Sequence, residues 1–187
     1  LGREKYKWED KLDAVFWRGK LTGMHLDEFS VGVAEHNPRP EKVRDLILEN
    51  PWKWQRAYLC YLSAQHPDLI DSKMMDDFPL HSQLMGFEEH GWHKHVYEGD
   101  GEEYMDYYLT NNTMTCKDKT PIEDHMKYKY LISIDGNTAA WQRPNWILES
   151  GSVLLMPETE MDEWYLSDLK PWVHYVPIKA DLSDLLE

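Results

Sequence analysis

Residues 125–187, HMKYKYLISIDGNTAAWQRPNWILESGSVLLMPETEMDEWYLSDLKPWVHYVPIKADLSDLLE, decide the fold. Within them, residues 131–135 (LISID) are a short apolar run that ends in an acid and is followed by Gly136 and Asn137. The spacing predicts a strand there and a helix from residue 138 to about 149. Residues 152–156 (SVLLM) are a second apolar strand, 162–169 fit a short helix, and 174–179 (HYVPIK) supply a third strand before 182–187 turn helical. Strand, helix, strand, helix, strand is the pattern of right-handed crossovers, so the expected class is α/β: a Rossmann-like parallel sheet flanked by helices. Pro177 lacks a ladder donor, which places the last strand at an edge or at a bulge.

Such a sheet presents its strand ends to helix amino-termini. There, unpaired backbone N–H groups and the helix dipole favour an anion, so a phosphate-bearing ligand is expected beside Asp135 and Gly136. Nearer the start, residues 14–17 (AVFW) read as another strand, which ends in Arg18 and Gly19 with Thr22 and Gly23 beyond, and brings a further element to the same cleft. Pro40 opens a helix running to about residue 49 that carries Val43, Leu46 and Ile47 at helical spacing and stops at Asn50-Pro51. Residues 52–62 are ambiguous between helix and buried strand.

A chain of 187 residues, 42% hydrophobic and 13% aromatic, can bury one good core, and one domain over residues 1–187 is expected. A formal net charge of −14 argues against nucleic acid or an anionic membrane as partner. No run of about 18 apolar residues occurs. The start, LGREKYKWEDK, has neither an initiator Met nor a signal-peptide core, and reads as a piece of a longer protein.

Residues 63–119 lose periodicity and read as an irregular excursion with one or two short helices; Thr120-Pro121-Ile122 then starts a helix. In it, His90, His93 and His95 lack the HExxH order and surround Gly91, so they are taken as satisfied or solvated rather than metal-binding. The acids of 98–106 read as a solvated face, and Asn111-Asn112-Thr113 is a glycosylation sequon. Cys60 and Cys116 have no CxxC neighbour, which disfavours zinc ribbons and thioredoxin-like chemistry and leaves them paired or free. There is no GxSxG elbow and no phosphate-binding GxxxxGK[ST] loop. The acids at 158–162 more readily begin a helix than hold Mg²⁺. With no metal site, neutralising a diphosphate falls to helix amino-termini and to cations, of which Arg18, Arg44 and Arg143 are the best placed.

The string EDHMKYKYLISIDGNTAAW, the SGSVLL strand, DEWY and above all LKPWVHYVPIKADLSDLLE resemble the carboxy-terminal signature of glycosyltransferase family 90, which includes fungal capsule-associated xylosyltransferases, animal protein O-glucosyltransferases and bacterial lipopolysaccharide-modifying relatives. FWRGKLTG, residues 16–23, is similar to the family's FxRGxxT motif, and PEKVRDLIL, with Arg44, to the Arg-containing stretch after it. The resemblance covers 123–187 strongly and 12–48 moderately. It implies the donor-binding, carboxy-terminal half of a GT-B enzyme that transfers glucose or xylose from a UDP-sugar to a hydroxyl, inverting and without a metal or other cofactor. The expected donor site comprises Arg18, Gly19, Thr22, Arg44, Asp135, Gly136, Asn137, Thr138, Ala139, Ala140 and Arg143. Small residues at 136–140 would let backbone N–H groups approach the diphosphate.

Two departures carry weight. Family members often bear Arg where this chain has Gln142, with Arg143 one place later; one helical residue is a rotation of about 100°. Either Arg143 takes the phosphate role in a shifted register or the site is remodelled. The catalytic Asp of the family belongs to an amino-terminal Rossmann-like half for which no residue here stands in. A non-catalytic nucleotide-sugar or carbohydrate-binding module therefore stays open as the alternative, and a protein-interaction domain built on the aromatic-rich 84–108 as a weaker one. Tyr128, Tyr130, Trp141, Trp146 and Trp172 are expected in the core, with Tyr128 or Trp141 as an alternative stacking platform; His125 and His174 are expected to be packed and satisfied. The resemblance places the protein in the secretory pathway if eukaryotic and in the cytoplasm if bacterial or viral.

Overall fold

The computed structural model describes residues 5–20, 49, 51–75, 115–116, 119–136 and 138–187. The expected helix over 40–49, the histidine cluster, the acids of 98–106, the sequon, the 84–108 stretch, Thr22, Arg44 and Asn137 lie outside the described residues, Glu49 excepted. Among the described residues six strands form one sheet in the order β3-β2-β1-β4-β5-β6, every pair parallel: β1 (Leu12–Gly19), β2 (Ile70–Met75), β3 (Thr115–Cys116), β4 (Tyr128–Ile132), β5 (Val153–Pro157) and β6 (Val176–Ile178). The chain runs outward from β1 through β2 to β3, returns to the other side of β1 at β4, and runs outward again to β6. That order reverses between β1 and β4, which makes their carboxyl ends the topological switch point.

Side-chain alternation buries both faces of the sheet. Trp17, Ile132, Ile134 and Leu155 pack on one side with Ala57, Leu59 and Cys60 of α1 (Gln55–Gln65); Phe16, Leu131 and Leu154 pack on the other with Ile147 of α3 (Arg143–Ser150). A short α2 (Ile122–His125) starts after Pro121, as the Thr120-Pro121 signal predicts. β6 lies at an edge, where Pro177 costs the sheet no inner ladder bond. Residues 52–62 resolve as helix from Gln55 onward, preceded by a 3-10 turn at Pro51–Lys53.

Four expectations need correction. The helix expected from residue 138 starts only at Arg143, because Pro144 in its first turn has no N–H to give and a fixed φ suited to a helix start. Residues 136–142 are therefore a loop, and the helix ends at Gly151, whose φ of 74° is left-handed. The stretch from residue 63 is not wholly irregular: β2 lies in it, with Ile70, Ser72 and Met74 turned inward and Asp71 and Lys73 half-exposed between them. The expected helix at 182–187 is a set of turns that presses Leu182 and Leu185 onto the α1-side core; six residues are too few to propagate a helix. Of the helix expected at 162–169 there is a 3-10 turn at Leu166–Asp168. Neither Cys60 nor Cys116 is in a disulfide, and burial pushes the Cys60 thiol up to about 12, which makes it unreactive.

Candidate functional site

Two guanidinium groups converge at the switch point. Arg143, the first residue of α3, donates from Nη2 to the Arg18 carbonyl at the end of β1, 2.9 Å away. Arg56, in the first turn of α1, donates from Nη1 to the Lys20 carbonyl at 2.8 Å and from Nη2 to the Ile134 carbonyl at 3.0 Å. Both sit over the fully buried Trp17 ring, 5.5 Å from its centroid for Arg56 and 5.8 Å for Arg143. Each is held at about 10, Arg143 by burial and Arg56 by burial together with the Arg143 charge, which Asp135 partly offsets. Like charges held in a poorly solvated corner are costly, and an anion placed between them relieves that cost.

Asp135 organises the loop between β4 and α3. Its Oδ1 accepts the Ala140 N–H at 2.8 Å, and the Gly136 N–H is bonded to the Thr138 carbonyl at 2.9 Å. These two N–H groups, expected to face a diphosphate, are spent on the loop itself. Small Ala139 and Ala140 line a shallow cleft at the carboxyl ends of β4 and β5, together with Ser133, Pro144, Met156 and Pro157. Gly19 cannot be larger: a Cβ there would meet Trp17 Cζ2 at 2.4 Å.

Arg18 is placed otherwise than expected. Its guanidinium turns back over the Phe16 ring, 4.3 Å from the centroid, and donates to the Asp71 carbonyl at 2.8 Å and to Asp71 Oδ1 at 2.7 Å. Asp71 Oδ2 accepts the Tyr128 hydroxyl at 2.7 Å, so the three side chains tie β1, β2 and β4 together. What Arg18 gives the strand ends is its carbonyl, which holds Arg143. The cation that stands at the strand ends beside Arg143 is Arg56, in the segment left ambiguous between helix and strand. Once Pro51 and the helical run from Gln55 are seen, a cation in the first turn facing the strand ends is the signal that was missed. Gln142 occupies the position before α3, exposed and without a side-chain capping bond, and the one-residue offset turns Arg143 inward.

The aromatic expectation divides. Tyr128, Tyr130 and Trp146 are half-buried against the core. Trp141 and Trp172 are 64% and 75% exposed, not core, and hold left-handed φ values of 38° and 63° that bulky residues rarely adopt. The Tyr165 hydroxyl donates to the Trp141 carbonyl at 2.8 Å and fixes that turn. His125 packs edge-on between Phe16 and Trp146, and burial together with the Arg143 and Arg18 charges pulls it down to about 4, so it is neutral. His174 is exposed rather than packed, with its Nδ1 accepting the Lys170 N–H at 2.9 Å.

A doubly wound parallel sheet with half-buried cations at its switch point defines a Rossmann-like domain. The model of glycosyl transferase family 90 matches residues 49–187, and the chain belongs to that family. It is similar to protein O-glucosyltransferase 2 of Danio rerio and protein O-glucosyltransferase 3 of Homo sapiens, each 45% identical over 64 residues, 34% of this chain and 13% and 12% of the respective relative. It is also similar to protein 035R of Invertebrate iridescent virus 3, 24% identical over 183 residues, 97% of this chain and 13% of that protein. The chain thus matches about an eighth of the length of these relatives. Among the described residues no helix is long and apolar enough to cross a membrane.

Proposed function

We propose that residues 1–187 form the donor-binding domain of a glycosyltransferase that moves glucose or xylose from a UDP-sugar to a hydroxyl acceptor with inversion. Arg56 and Arg143 converging at the switch point is the observation that carries this reading. The diphosphate lies against the two guanidiniums. As the bond between the anomeric carbon and the β-phosphate oxygen breaks, negative charge grows on the leaving UDP. Cations already fixed by strand-end carbonyls meet that charge without reorganising, and so favour the transition state over the ground state. Two half-buried cations supply this neutralisation without a metal. The base that deprotonates the acceptor comes from a second Rossmann-like half, and protein or glycan hydroxyls are the acceptors.

Calorimetric titration of the chain with UDP, UDP-glucose and UDP-xylose, with and without EDTA, tests this reading. Binding should be unchanged by EDTA and weakened about 10- to 100-fold in Arg56→Ala and in Arg143→Ala. Equal affinity in wild type and both variants would sink the assignment. Donor binding without transfer by the longer protein would favour the non-catalytic module.

A further inference from the structure

Trp17 is 0% exposed, and its indole N–H finds no acceptor among the described residues. A buried tryptophan ordinarily satisfies that donor, because leaving it unmet forfeits the hydrogen bond it makes with water in the unfolded chain. Packing alone does not account for the residue. It belongs to an apolar cluster with Ala57, Leu59, Ile132 and Leu155, which a phenylalanine or leucine would join with no polar atom to strand.

What distinguishes the ring is the pair of cations over it. The guanidinium carbons of Arg56 and Arg143 stand 5.5 and 5.8 Å from its centroid, both close enough for a ring face to attract a cation, and tryptophan attracts most strongly of the aromatic side chains. The two charges repel one another. Hydrogen bonds to the carbonyls of Arg18, Lys20 and Ile134 aim the guanidinium nitrogens, and the ring adds negative potential beside them. A carboxylate in the ring's place would hold the pair more strongly but would cancel the charge that a diphosphate needs. A neutral ring holds them and leaves that charge whole. Gly19 sets the ring's orientation, since a Cβ there would overlap the benzo edge of the indole.

Resting on the donor reading above, we infer that Trp17 is a positioning residue of the donor site: its ring keeps two like-charged guanidiniums together, ready for the diphosphate, and the stranded N–H is the consequence of turning the ring toward them. Trp17 acts through Arg56 and Arg143 and touches no part of the donor.

The test places a graded series of ring-fluorinated tryptophans at position 17 of the full chain. Fluorine keeps the shape and the N–H while withdrawing negative charge from the ring face. Inorganic pyrophosphate and UDP are titrated calorimetrically into each protein, with urea unfolding followed in parallel. The expected result is an unchanged urea midpoint and a stepwise weakening, by about three- to tenfold over the series and equal for both ligands, because guanidiniums held less firmly must be ordered when the anion binds. In the Arg143→Ala background the same series should lose less, since one of the two cations is gone. A tryptophan that only fills the core gives neither result. Affinities that stay flat or rise along the series overturn the inference while leaving the arginine site standing, and so does an undiminished loss in Arg143→Ala. If wild type binds neither pyrophosphate nor UDP at millimolar concentration, the donor reading fails and this inference fails with it.

Discussion

Replacing Arg143 by methionine should separate binding from stability. A guanidinium moved from its ordinary 12.5 to about 10 by burial carries about 3 kcal/mol of unfavourable desolvation in the unliganded protein. Against this stand one charged hydrogen bond to the Arg18 carbonyl, about 1.5–3 kcal/mol, and the contact with the Trp17 ring, about 0.5–1 kcal/mol. These terms nearly cancel, and Met keeps the apolar stem in place. The unliganded Arg143→Met variant should therefore unfold within about 1 kcal/mol of wild type in urea. Removing it also lifts repulsion from Arg56, whose basicity should rise toward the ordinary arginine value. Ligand response should change in the opposite sense. At a UDP concentration 100 times its dissociation constant, wild type gains about 2.7 kcal/mol by mass action. The variant, bound about 10- to 100-fold more weakly, should keep only about 1.4 to 0.4 kcal/mol of that shift. A variant that loses more than about 2 kcal/mol in the unliganded state yet keeps the whole UDP-induced shift would show Arg143 to be an ordinary structural cation, and the reasoning would fail.

Three further outcomes follow from the same packing. His125 titrates at about 4 in the fold and near 6.5 when unfolded, so the unfolded chain binds the extra proton in that window; stability is full above about pH 6.5 and falls by about 3 kcal/mol as pH drops to 4. Urea midpoints measured from pH 7 to 4 should show this loss in wild type and a smaller one in His125→Phe. Gly19→Ala drives a methyl into the immobile Trp17 ring and should cost about 1–3 kcal/mol by chemical denaturation, with weaker UDP binding because that ring underlies both arginines. Asp71→Asn leaves the Arg18 guanidinium, of which 10% of the side chain is exposed, without its countercharge; a loss of about 2–3 kcal/mol is expected, and a loss under 0.5 would show the ion pair to be idle.

The parallel α/β class was legible because both faces of the sheet are covered: continuous runs such as SVLLM need no tertiary information to read as doubly buried strands. Pro177 called for an edge or a bulge, and β6 took the edge. β2 was hidden because its outward positions carry Asp71 and Lys73, so its buried positions, Ile70, Ser72 and Met74, read as scattered; Ser72 is buried only because Ser63 and Cys60 meet it.

The sequence by itself determined the class of the fold and the family, and pointed to the strand end at Asp135 as the candidate site, since these readings depend on local periodicity, turn chemistry and a long contiguous signature. Only the tertiary structure decided which cations share that site. Arg18 and Arg143 are far apart in sequence, as Arg56 is from both, and which way each guanidinium turns depends on the groups that fold beside it. Asp71 draws Arg18 back along β1, while the strand-end carbonyls of Arg18, Lys20 and Ile134 hold Arg143 and Arg56 over Trp17. No local pattern encodes that choice, because its partners come from strands β1, β2 and β4 only once they lie side by side.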